Sequence, residues 1–159
     1  MSTFIQKYLS KGIALVFIAV MALMAFAPAA ADGVYHSEHI ALAPVGEAPL
    51  QKGFVENIHV NGPQIYAMEQ YVLNGAMPDT DYQVALQIYY QDPGCSATPL
   101  ITLTTAAFRT NASGNGNARA VYTPADAAQL RDMTHGAIWL ILSGDTIEYQ
   151  TACSAIMLD

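Results

Sequence analysis

Apolar and polar positions alternate along this chain in short stretches, each closed by a turn signal. The clearest runs from Asp81 to Gln91, where Tyr82, Val84, Leu86, Ile88 and Tyr90 share one face and Gln83, Ala85, Gln87 and Tyr89 the other. Period-two alternation of that length predicts a half-buried antiparallel strand. Before it, Val34 to Ala43 reads as an edge strand broken by Pro44, Gly46 and Pro49. Phe54 to Val60 and Ile65 to Leu73 are further strands, closed by Asn61-Gly62-Pro63 and Asn74-Gly75.

After it, Asp92-Pro93-Gly94 is a turn, and Leu100 to Thr110 reads as a strand kinked at Ala106-Ala107. The Asn111–Asn117 cluster turns the chain back into Ala118 to Tyr122. Thr123 as N-cap and Pro124 at the first helical position predict a short crossover helix to about Asp132. Gly136 to Ser143, carrying Trp139, suits a central strand, and Thr146 to Leu158 reads as one closing strand. The sum is an all-β domain, an antiparallel sandwich of seven or eight strands with one short helix, a closed barrel being the alternative.

One corner carries a resemblance. Leu73, Pro78, Thr80 and Tyr82 resemble the Leu-x-Pro-x-Thr-x-Tyr corner of fibronectin type III and other immunoglobulin-like domains, with a longer Leu-to-Pro interval. The resemblance implies an immunoglobulin-like sandwich whose Tyr82 hydroxyl meets nearby backbone.

Composition changes the picture at the N-terminus. Lys7 and Lys11, the apolar run Gly12 to Phe26, and Ala29-Ala30-Ala31 before Asp32 read as a signal helix over residues 1–31, leaving a domain over 32–159. The rival is an uncleaved membrane anchor, disfavoured by Pro28 and the closing alanines. The expected location is secreted, periplasmic or cell-surface. Without Lys7 and Lys11, four basic residues face thirteen acidic ones, a net charge of −9. That balance excludes nucleic acid, which needs clustered Lys and Arg, and disfavours anionic membranes. Cys95 and Cys153 in an exported chain read as one structural disulfide.

Candidate chemistry is sparse. His36, His39 and His59 could converge on a metal only if their segment were irregular, because strand geometry puts His36 and His39 on opposite faces. No Gly-x-Ser-x-Gly elbow is present, and Glu69 and Glu148 read as polar strand faces, so no catalytic constellation emerges and no cofactor is expected. Asn111-Ala-Ser113 matches a glycosylation acceptor, and the loop around it lacks the carboxylates calcium wants. Tyrosines along the strands, Tyr89 and Tyr71 foremost, are candidates for contact with a glycan or protein at the cell surface. The expected function is a non-catalytic binding or surface-associated module, with small-metal binding as the alternative.

Overall fold

The computed structural model describes residues 36–59, 67–123, 130 and 133–157. The expected signal helix and crossover helix lie outside these residues. Among those described, the regular elements are nine strands: β1 (His36–Pro44), β2 (Lys52–His59), β3 (Ala67–Asn74), β4 (Asp81–Tyr89), β5 (Ile101–Arg109), β6 (Gly116–Tyr122), β7 (Thr134–Ser143), β8 (Thr146–Thr151) and β9 (Ser154–Met157). The single closing strand expected over 146–158 is two strands, β8 and β9, interrupted at Ala152-Cys153 and both paired to β7.

All the pairings are antiparallel, and the hydrogen-bonded order is β5-β4-β7-β8-β1-β2-β3-β6, with β9 beside β7. The first three strands form a meander. The two ends of the order, β5 and β6, are neighbours in sequence and line one cleft together, so the sheet curls into a barrel-like form. β1 is not the edge strand its proline-flanked sequence suggests. Its residues His36–Ala41 pair with β2 and Leu42–Pro44 with β8, so it joins the two halves of the sheet.

Alternation decides what lies inside. Ala67, Glu69, Tyr71 and Leu73 of β3 are buried, as are Tyr82, Val84, Leu86 and Ile88 of β4. With Ile40, Leu42, Val55, Trp139, Ile141 and Tyr149 they form one core. Tyr90 lies beyond the end of β4 and is exposed rather than sharing its inner face. The Tyr82 hydroxyl sits 3.4 Å from that of Tyr149, and Tyr149 donates to the Pro49 carbonyl at 2.8 Å. The backbone contact expected of Tyr82 is thus made by Tyr149, from another strand.

One end of the barrel is stitched by its loops. Thr110 Oγ1 accepts the Thr80 N–H at 3.0 Å and donates to the Met77 carbonyl at 2.7 Å, while Ala76 N–H donates to Gly114 O at 3.0 Å. Gly114, at φ +73, lies so close that a Cβ there would stand 2.1 Å from the Ala76 carbonyl oxygen. This contact requires glycine.

The disulfide Cys95–Cys153, with Cα atoms 5.9 Å apart, ties the loop after β4 to the β8–β9 junction. Asp92 shapes that loop by accepting the N–H groups of Ala97, Ser96 and Gly94. Those bonds, Ala97's first, hold its carboxyl below the usual carboxylate range. His135, fully buried, accepts the Gln91 N–H at Nδ1 and donates from Nε2 to the Leu130 carbonyl, both at 3.1 Å. It fixes the start of β7 against that loop with a defined tautomer.

Candidate functional site

The site is built by two strands that fail to zip. β5 and β6 are joined by the turn around Asn111, whose side-chain oxygen accepts the Ser113 and Asn115 N–H groups at 2.9 and 3.0 Å. Asn111 and Asn115 also share a backbone bond of 2.9 Å, yet the arms beyond form no ladder. Each arm is committed elsewhere: Ile101–Arg109 runs along β4, and Gly116–Tyr122 along β3. The hairpin is therefore splayed. Between its arms lies an open cleft of about 350 Å³ lined by Leu103, Thr104, Thr105, Ala120, Val121 and Tyr122.

A bulge sets the inner wall. The β4–β5 register steps between Val84/Ala106 and Ala85/Thr104, leaving Thr105 as the extra residue. Bulges bend a strand and re-aim a side chain, and here the Thr105 hydroxyl reaches inward to within 2.8 Å of the Tyr71 hydroxyl. Leu103, paired with the buried Leu86, has the parity of an interior residue yet is 40% exposed, because the sheet is open beside it. Val121 across the cleft is 48% exposed.

Behind the cleft sits Glu69, 3% exposed. Its Oε2 accepts the hydroxyls of Tyr71 and Tyr122, the latter at 2.9 Å. The fully buried Trp139 indole N–H faces the same carboxyl and favours its charge, but falls short of a hydrogen bond. Burial dominates and raises the Glu69 pKa above the usual carboxylate range, against the pull of these donors. Desolvation and the neighbouring Glu69 charge push the Tyr71 and Tyr122 hydroxyls upward as well, far beyond any physiological ionisation. Both tyrosines therefore keep their protons and donate to the ionised Glu69.

This corrects the reading of Glu69 as a polar strand face. The signal was present in sequence: Glu69 shares parity with Tyr71 and Leu73, both apolar enough to mark the inner face. Of the tyrosines singled out, Tyr71 is fully buried and Tyr89 only 7% exposed, its hydroxyl donating to Gln87. Neither ring is open to a partner. Among the described tyrosines the exposed ring is Tyr90, tilted against His135 with centroids 5.2 Å apart.

The histidines separate by register. Positions 36 and 59 are cross-strand partners, whereas His39 pairs with Glu56 at the opposite parity. His39 Nδ1 lies 2.9 Å from Glu56 Oε2 and its ring stacks on Phe54. Hydrogen bonds from Ser37 and then His39 hold the Glu56 carboxyl low. Among the described residues no three of His, Cys, Asp and Glu gather as metal ligands do.

No family model, curated protein or solved structure matches this chain. The site must therefore be read from its own chemistry.

Glu69 makes stability depend on pH. Its folded pKa lies above its unfolded value of 4.5, so the folded state keeps the proton longer. Stability from this group is fully present below pH 4.5 and falls as pH rises through the folded value. Glu56 and Asp92, both held low, act oppositely, losing their contribution as pH falls through their folded values. Urea midpoints taken from pH 4.5 towards neutrality should decline in the native protein and flatten in Glu69→Gln. Equal slopes in both would place the carboxyl outside this role.

Proposed function

We propose that the protein is an exported, non-catalytic binding module that takes up an extended peptide segment of a surface protein in the β5–β6 cleft. The observation that carries this reading is the open seam itself. Two neighbouring strands end the hydrogen-bonded order, and the interior-facing Leu103 is exposed between them. Unpaired strand edges recruit strands, since backbone N–H and C=O groups supply affinity and alternate side chains fill pockets. Leu103 on the inner face and Val121 on the outer would contact apolar side chains at alternate positions of the incoming segment, and the Thr105 and Tyr122 hydroxyls its polar groups. A glycan platform is less favoured, because Tyr71 and Tyr89 are buried.

Export is supported by the leader pattern of residues 1–31 and by the Cys95–Cys153 bridge, which suits an oxidising compartment. For the scaffold, a barrel-like form is favoured over an immunoglobulin-like sandwich. The β1-β2-β3 meander and the pairing of the Tyr82 hydroxyl with Tyr149 both speak for it.

The test is amide hydrogen exchange on the full chain with and without a library of capped heptapeptides. Protection confined to Ile101–Thr105 and Ala118–Tyr122 is the expected result. Binding that leaves both edges unprotected would sink the seam as the site.

A further inference from the structure

The hydroxyls that line the cleft are wired to one buried carboxyl. Tyr122 donates directly to Glu69 Oε2. Tyr71 spends its only proton on the same oxygen, so in the 2.8 Å contact between Tyr71 and Thr105 the donor is Thr105. The other acceptor near Thr105, the Val84 carbonyl, is more distant at 3.5 Å. With Glu69 ionised, the protons of both cleft hydroxyls therefore point inward. What the cleft shows a ligand is their lone pairs.

Protonation reverses this order. When the new proton sits on Oε2, the oxygen both tyrosines share, its O–H is accepted by one of the tyrosyl oxygens, which displaces that tyrosine's own proton. From Tyr122 the displaced proton turns to the cleft. From Tyr71 it passes to Thr105, whose own proton then turns outward. In either arrangement a donor replaces an acceptor on the cleft wall.

We propose that Glu69 sets the hydrogen-bonding polarity of the β5–β6 cleft, so that the cleft holds N–H-donor segments when Glu69 is ionised and releases them on acidification. This rests on the seam being the binding site. The groups facing Glu69 are Tyr71 on its own strand, Tyr122 from β6, Trp139 from β7 and, through Tyr71, Thr105 from β5. Asn57 of β2 is its cross-strand neighbour, and Glu38 of β1 continues the row but is exposed. The ion pairs of the described residues, His39–Glu56 and Arg109–Asp81, involve neither Glu69 nor its partners. Nothing cationic among these neighbours offsets its titration. Burial, which raises the pKa of Glu69, moves the switch above the range of an ordinary surface carboxylate.

The test has a ligand-free arm and a peptide arm. In the first, the Glu69 carboxyl carbon, the Tyr122 ring and the Thr105 methyl of the full-length protein are followed by NMR through a pH titration. A shared midpoint that vanishes from Tyr122 and Thr105 in Glu69→Gln is expected; Tyr122 and Thr105 signals indifferent to Glu69 would overturn the coupling. In the second, a capped heptapeptide that protects both edges is compared with its backbone N-methylated form. Loss of one hydrogen bond should weaken the unmodified peptide about tenfold on acidification, with no pH effect in Glu69→Gln or for the N-methylated form. PH dependence that survives Glu69→Gln would also overturn the proposal. If no heptapeptide protects the edges while the midpoints still coincide, the seam as a peptide site fails and the release of bound segments fails with it, but the relay stands.

Discussion

Tyr71→Ala is expected to cost about 5 kcal/mol, near the whole stability of a domain this size. Two losses combine. Removing a fully buried aromatic ring opens a cavity in the core it shares with Val55, Leu73 and Trp139, a change worth about 3–5 kcal/mol in other cores. Removing the hydroxyl also strips Glu69 of a donor and leaves Thr105 without its inward partner. Tyr71→Phe separates the two effects. It keeps the ring and should lose about 1–3 kcal/mol through the missing hydroxyl alone. Urea unfolding at neutral pH measures both, provided the slope with denaturant is unchanged. A neutral Tyr71→Phe would show that the carboxyl does not depend on this hydroxyl.

Breaking the Cys95–Cys153 bridge should cost about 2–4 kcal/mol, the usual range for a structural disulfide. The two cysteines are 58 residues apart in sequence, so the unfolded chain gains a long stretch of freedom when the bond is cut. The damage should be local in the folded state. Gly136 of β7 lies under the bridge so tightly that a Cβ there would come within 2.3 Å of the Asp92 carbonyl and 2.7 Å of the Cys95 sulfur. The 91–100 loop, β9 and the Thr134–Ala137 end of β7 therefore share one fastening. In a Cys95→Ser/Cys153→Ser double variant, amides of β9 and that end of β7 should exchange fastest. Those of β3, backed by Tyr71 and Glu69, should stay protected. Uniform loosening of all strands would contradict this picture.

Much of the architecture is legible in sequence because it is written in period two. The alternation of Tyr82, Val84, Leu86 and Ile88 gives β4 its inner face, and the punctuation by Asn, Gly and Pro places most strand ends within a few residues. The disulfide is legible from compartment logic alone. Four features escaped that reading. β1 is flanked by breakers yet central, because one strand can pair with different partners along its two halves. Thr146–Leu158 keeps an apolar rhythm through Cys153, and the break at Ala152-Cys153, where the bridge attaches, leaves no mark in it. Glu69 is the clearest case: a carboxyl on an inner face looks like a polar face unless the parity of Tyr71 and Leu73 is given more weight than its charge. The seam could not be read at all, since it arises from what β5 and β6 pair with elsewhere.

Thr105 has a consequence for tracing this protein's kin. Before it, the inward positions of β5 are odd, Ile101 and Leu103; after it they are even, Ala106 and Phe108. A single inserted residue thus leaves a phase change in the hydrophobic rhythm, which can outlast the identities of the residues around it. Chains too diverged to align by residue could still be recognised by an eight-strand circuit whose fifth strand shifts phase once, opposite an inward carboxylate on the third.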